Sequence, residues 1–313
     1  MDDRVWLATQ NPNALCAIDV ADPARVATTI ETGAAVNLGS TDRQWLWTTQ
    51  WENGFLQRRS HDGAVVDSVY VVENPTGLVL DIDDVWVSPS HFTDPVIRVA
   101  KDSLVSTAMP WRDDNIAHVV GVTTDAIWLG ESQGFDNSTL VRLDRATGNR
   151  RVILSAPNSS PYLFADEAVW VAGYPEAGMT IFDSLGGTQN VVTAPRVAQM
   201  QATEVGVFVL GYDRGDNENQ NDWADLVAQS RRTRLERRGR DGKVIASITV
   251  EDAKVMAASR RAVWVAVVAD PDAHQIEVVT LEPETLREVG RVTVPGEFPV
   301  LIPADPETAT STW

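Results

Sequence analysis

Apolar and polar positions alternate along this chain in short runs, and one short phrase of the pattern occurs seven times. The copies are Val5-Trp6-Leu7, Leu46-Trp47-Thr48, Val85-Trp86-Val87, Ile127-Trp128-Leu129, Val169-Trp170-Val171, Val207-Phe208-Val209 and Val263-Trp264-Val265. Their central aromatics lie 41, 39, 42, 42, 38 and 56 residues apart. Strand-forming residues recurring with a period near 40 specify a β-propeller, a ring of small sheets that each bury one face only against a neighbour.

Each unit parses into four strands. In the fourth unit these fall at 116–122, 126–130, 139–144 and 150–155, rich in Val, Ile, Leu and Thr. The turn Asp144-Arg145-Ala146-Thr147-Gly148 carries Asp to accept backbone N–H groups and Gly to supply positive φ. Related turns recur at His61-Asp62-Gly63, 183–187 and Asp241-Gly242. An aromatic in the same place in every unit reads as packing between adjacent sheets, not as a ligand cage.

First strands are expected at 34–41, 76–82, 116–122, 160–165, 196–203, 252–258 and 298–302. The last has no second strand after it, and Val5-Trp6-Leu7 has no first strand before it. The fold expected is therefore all-β: a single seven-bladed β-propeller domain over 1–313, built of four-stranded antiparallel blades. The C-terminal strand joins the N-terminal blade, which closes the ring and removes its open edges. The wide sixth interval reflects an insertion of about 15 residues, Asp213 to Ser230, between the second and third strands of blade six.

In this arrangement one face, the top, carries the blade-to-blade connections and the loops between second and third strands. Those loops are rich in aromatic and acidic residues. Trp51, Glu52, Tyr174, Tyr212 and Trp223 stand out as candidate ligand contacts, with Phe92 and Phe135 near them. Counting ten residues back from each central aromatic gives Asn37, Thr76, His118, Ser160, Ala198 and Lys254, a ring at the channel mouth. Of these, Lys254 is a further ligand contact and His118 is capable of acid–base work. His91, His118 and Glu131 come from adjacent blades on one face; two imidazoles and a carboxylate suit a divalent cation or a base and its orienting partner. Asp213, Asp216, Glu218 and Asp222 are candidate oxygen ligands for Ca²⁺ or Mg²⁺, without the glycine turn and terminal Glu of an EF-hand loop.

The chain is acidic, with a formal charge of −18. That excludes a phosphate backbone as partner, and the basic run 231–240 reads as solvent-facing charge on a third strand. No run of about 18 apolar residues is present, so no transmembrane segment is expected. The single Cys16 lies in an apolar strand and forms no intrachain disulfide; an inert buried thiol is the expectation. The abrupt start on a strand, with no leader, points to an extracytoplasmic or secreted domain, with a cytoplasmic one as the alternative.

The units resemble, at the level of fold and across nearly the whole chain, the seven-bladed propellers that include virginiamycin B lyase and the NHL-like and quinoprotein-like repeats. In the lyase group a Trp-Phe-Thr-Glu phrase with His two residues beyond the Glu supplies metal-linked catalytic groups. Here Trp128-Leu129-Gly130-Glu131 keeps the Glu, and Gln133 stands where the His would be. His91 lies five residues after Trp86, with Pro89 at the Glu position. The leading expectation is a non-enzymatic propeller that binds a protein, peptide or glycan through its top face and the blade-six insertion. The alternative is a metal-assisted lyase or hydrolase working at the channel mouth.

Overall fold

A computed structural model describes residues 4–91, 94–109, 116–133, 137–156, 162–165, 167–173, 178–194, 196–212, 232–270, 274–303 and 309–310. Seven antiparallel sheets form the ring. Blade 1 consists of Arg4–Gln10, Ala14–Asp19 and Val26–Glu31, completed on its inner side by Glu297–Pro303. Val5 pairs with Pro303, Trp6 with Ile302 and Leu7 with Leu301, so the chain's C-terminal part closes the ring as expected. The innermost strands of blades 2 to 7 are Val36–Thr41, Gly77–Leu80, Ile116–Val122, Tyr162–Ala165, Arg196–Thr203 and Ala253–Ala258. Each touches the innermost strand of the next blade around the channel.

The repeated aromatics build the core, and they do so identically. Trp6, Trp47, Trp86, Trp128, Trp170, Phe208 and Trp264 are all at most 3% exposed. Each packs into the following blade: Trp6 against Val36 and Leu46, Trp47 against Val85 and Val87, Trp86 against Val119 and Leu129. Trp128 then meets Val169 and Val171, Trp170 meets Val207 and Val209, Phe208 meets Val263 and Val265, and Trp264 returns to Val5 and Leu7. Such rings remove roughly 150–250 Å² each from water, about 4–6 kcal/mol apiece at ~25 cal/mol/Å². Cys16 lies inside the blade 1–blade 7 cluster, and burial raises its thiol pKa, as an inert thiol requires.

Polar groups join the blades at the bottom. Arg58, Arg142 and Arg237 each stand directly across from the central aromatic of their own blade. Each donates to a carbonyl in the outer hairpin turn of the next blade: Arg58 to Lys101 (2.9 Å), Arg142 to Ser184 (3.1 Å) and Arg237 to Glu284 (2.7 Å). One residue on, Arg59 and Arg238 are buried at 1% and 2% exposure. They close their hairpins by donating to the Gly63 and Gly242 carbonyls at 2.9 and 2.7 Å. The basic run faces solvent at Arg232, Arg234 and Arg240 as expected, but Arg237 is spent on the next blade and Arg238 is held by Glu236 at 2.8 Å.

Two strands differ from the sequence reading. The second strand of blade 4 runs on to Gln133, so Glu131 is a ladder residue opposite Thr139 rather than a loop residue. Blade 6 gains a fifth strand, Ala309–Thr310, on its channel side.

Candidate functional site on the top face

A constant register underlies the channel mouth. The central aromatics pair with Ile302, Ser40, Val79, Gly121, Leu163, Gln201 and Ala257, so one level of the ring is shared by every blade. Three residues above it the ladder slips in blades 2, 6 and 7, and the residues left out are Asn37, Ala198 and Lys254. A bulge frees one residue from the ladder and re-aims its side chain. Positions counted from sequence spacing thus coincide with a repeated local irregularity, and Lys254 sits on it partly buried.

Neighbouring members of this ring are linked. Asn37 donates to the Pro75 carbonyl at the entrance to blade 3, and Thr49 donates to Asn37 Oδ1 at 2.9 Å. Thr76 Oγ1 donates to the Pro89 carbonyl at 2.7 Å and lies 3.3 Å from His118 Nδ1. A hydroxyl has a single proton, and the Pro89 carbonyl takes it. With that proton committed, His118 Nδ1 carries its own proton and donates to Thr76, which makes Nε2 the lone-pair nitrogen. Burial pushes the His118 pKa down to about 4, so the ring is neutral near pH 7. His118 pairs with Gly130, and the Tyr162 ring occupies the space a Gly130 side chain would take.

Glu131 pairs with Ala117, the residue beside His118, and so projects from the opposite face of the sheet. It is 2% exposed and accepts a two-pronged bond from Arg150, 3.2 Å to Oε1 and 2.6 Å to Oε2. His91 is exposed in the turn after blade 3's second strand. No group of three or more His, Cys, Asp or Glu side chains placed to hold a metal occurs among the described residues. The carboxylates Asp213, Asp216, Glu218 and Asp222, and the aromatics Tyr174 and Trp223, lie outside the described residues. Tyr212 ends the second strand of blade 6 at 4% exposure, paired with Arg196 and Thr233, and burial raises its hydroxyl pKa.

Trp51 and Glu52 are exposed, and blade 2 exposes two further aromatics that sequence reasoning did not single out. Phe55 and Tyr70 pair across the outer hairpin of blade 2, with ring centroids 6.0 Å apart and edge to face. Trp51, Phe55 and Tyr70 are 39%, 36% and 54% exposed. The loop beneath them is fixed by its backbone. Trp51 N–H donates to Ala35 and its carbonyl accepts from Asn74, both at 3.2 Å; Gly54 N–H donates to Gln50 at 3.1 Å, and Val71 N–H to Gly54 at 2.9 Å. Gly54 has φ 65°, and a Cβ there would meet the Val72 carbonyl oxygen at 2.5 Å. Sequence spacing flagged Trp51 as a loop aromatic; finding Phe55 and Tyr70 needed the register of the outer hairpin.

A third feature lies where the ring closes. Glu297 accepts from Asn11 of blade 1 at 3.1 Å and contacts His274 of blade 7. The next residue, Phe298, is 66% exposed at φ 47°, a conformation disfavoured for a bulky side chain.

No protein-family model matches the chain, and no curated protein matches it in sequence. Solved structures do match in shape. Apo AztD from Citrobacter koseri aligns over 99% of this chain and 98% of its own, with TM-score 0.62 and 9% identity. The Cps50 (Swd1) β-propeller domain of Myceliophteria thermophila aligns over 91% of this chain and 98% of its own, at TM-score 0.62 and 11% identity. The dihydro-heme d1 dehydrogenase NirN, in complex with DHE, aligns over 96% and 75%, at TM-score 0.61 and 11% identity. Blade count, ring closure and these likenesses together define a seven-bladed β-propeller.

Proposed function

We propose that this chain is a non-enzymatic binding propeller that takes a protein, peptide or glycan ligand on its top face. The observation carrying this reading is the aromatic trio Trp51, Phe55 and Tyr70. Trp51 stands in water on a loop whose backbone is pinned, with Glu52 beside it, and Phe55 and Tyr70 are exposed at the end of the adjoining outer hairpin. Exposed aromatics on a rigid frame are what recognition surfaces use, because little side-chain entropy is lost on contact. Lys254, Tyr174, Trp223 and the insertion from Asp213 to Ser230 complete the proposed surface, while Tyr212, buried in the blade 6 sheet, lies beneath it. The propeller frame is compatible with such a role and does not dictate it. An extracytoplasmic setting accompanies this reading.

The test is a glycan array and a displayed peptide library, probed with the unaltered chain and with a Trp51→Ser, Phe55→Ser, Tyr70→Ser variant. Ligands captured by the first and lost by the second, at equal melting temperature, support the reading. The same ligands held equally by both reject it.

A second reading, a metal-assisted lyase or hydrolase at the channel mouth, draws on the neutral imidazole of His118 with His91 as its proposed companion; Glu131, on the opposite face of the sheet and held by Arg150, is not part of it. Neutral imidazole is the form that binds a metal. A thermal-shift titration with Ca²⁺, Mg²⁺ and Zn²⁺ separates the two. A melting-temperature rise that disappears in His118→Ala favours the metal site; no rise with any ion removes it.

A further inference from the structure

Among the described residues, only blade 6 carries a strand on the channel side of its innermost strand. Ala309–Thr310 runs antiparallel to Arg196–Thr203, with Ala309 opposite Ala202 and Thr310 opposite Gln201. It also lies beside Tyr162–Ala165 of blade 5. Both anchor points are at the bottom of the channel. Pro303 ends the strand that closes the ring, and Gln201 and Ala202 are near the end of theirs. Six residue steps separate Pro303 from Ala309, a reach of at most about 20 Å, so the chain leaves blade 1 and docks two blades away.

The physical basis is general to the ring but met in one place. An innermost strand has a sheet partner on its outer side; its other edge offers backbone N–H and C=O groups to the channel, a template for one more strand. Blade 6 presents that edge rigidly. Gln199 Oε1 accepts from Met256 N–H at 2.8 Å, and Gln201 Oε1 accepts from Ala258 N–H, so side chains of this strand are tied to blade 7. On the other face of this strand Ala202 packs in the core shared with blade 5, so the edge is held from both sides.

We propose that the channel-facing edge of blade 6 is an acceptor site for an extended peptide, with residues 309–310 as its resident occupant in cis. A peptide segment of a partner joins the sheet there as a fifth strand once the resident one is displaced. This site is at the opposite end of the channel from the aromatic trio, so it does not depend on the top-face reading.

The experiment uses the full chain with Ala309→Pro and Thr310→Pro, which removes the resident strand's donors and keeps the ring-closing strand. The probe is a fluorescent synthetic peptide of residues 304–313, followed by anisotropy. Tethering gives the resident segment an effective concentration in the millimolar range, so the peptide should bind the variant at least about tenfold more tightly than the unaltered chain. The same peptide carrying both prolines should not bind. A second variant ending at Pro303 should behave like the first, and covers the case in which the prolines disturb the ring. Equal affinity for variant and unaltered chain, binding of the proline peptide, or no binding to either folded variant up to about 1 mM would overturn the proposal.

Discussion

The two ends of this propeller are built on opposite principles. At the bottom, blades 2 and 6 repeat one another almost residue for residue: Gln57-Arg58-Arg59 leading to Asp62-Gly63, and Glu236-Arg237-Arg238 leading to Asp241-Gly242. The first Arg reaches the next blade and the second closes its own hairpin. Among the described residues the top is less regular: blade 2 exposes three aromatics, blade 4 carries a half-buried neutral imidazole, and blade 1 a single Phe298 in a disfavoured conformation. Repetition marks the end that holds the ring together. The other end also has contacts between blades, such as Thr76 with His118, but among the described residues these contacts do not repeat around the ring.

The sharpest test of the bottom end exploits its one internal difference. Arg238 is buried against the carboxylate of Glu236, whereas Arg59, at the same place, meets only neutral partners: Thr48, Gln57 and the Gly63 carbonyl. Burial without a carboxylate pushes the Arg59 pKa down to about 10. Arg238→Ala strands a buried negative charge and should cost about 3–5 kcal/mol. Arg59→Ala strands only neutral acceptors and should cost about 2 kcal/mol. Urea unfolding measures both; equal losses would remove the distinction between the blades.

His118 sets the next largest effect, now at the top. Its pKa is near 4 in the folded chain against an ordinary value of 6.5. Between those values the unfolded chain binds a proton that the folded chain refuses, so stability falls as pH drops from about 6.5 to 4. The total is up to ~3 kcal/mol, and none of it is present as a slope above pH 7. His118→Gln should flatten that limb of the pH profile. A profile unchanged by the substitution would mean His118 is solvated and its tautomer unfixed. Below this in size, Arg58→Ala, Arg142→Ala and Arg237→Ala should each cost about 1 kcal/mol, the ordinary net worth of a hydrogen bond. The three losses should be alike, since the three staples are.

How much of this could be read from the chain follows the same division. The seven aromatics, their spacing and the unpaired first and last strands were enough for blade count and closure, because packing between sheets repeats and repetition is visible in one sequence. Channel-mouth positions were also legible, since Asn37, Ala198 and Lys254 keep a constant distance from the aromatic, although the bulge that makes them special was not. Glu131 misled: alternation within a strand tells which residues share a face, not that Arg150 waits on that face. Arg238 misled for a similar reason, because the strand pattern does not show that Glu236 and the hairpin turn of its own blade enclose it. The resident strand at 309–310 has no pattern of its own, because two small residues gain their order only from the edge they meet.

The smallest expected stability effect carries the most functional weight. Trp51→Ser, Phe55→Ser and Tyr70→Ser remove exposed rings from a loop and an adjoining hairpin whose backbone is held by Trp51 N–H to Ala35, Gly54 N–H to Gln50, Val71 N–H to Gly54 and Asn74 N–H to Trp51. Each should move folding stability by no more than about 0.5 kcal/mol, the usual range for surface substitutions. Phe55 and Tyr70 touch each other, so their joint replacement should fall short of the sum of the singles by a few tenths of a kcal/mol. Losses of 2 kcal/mol or more by thermal unfolding would place the rings in the packing that supports blade 2. Near-zero losses leave three large aromatic side chains held in water with no structural return, which is the condition expected of a surface kept for contact with something else.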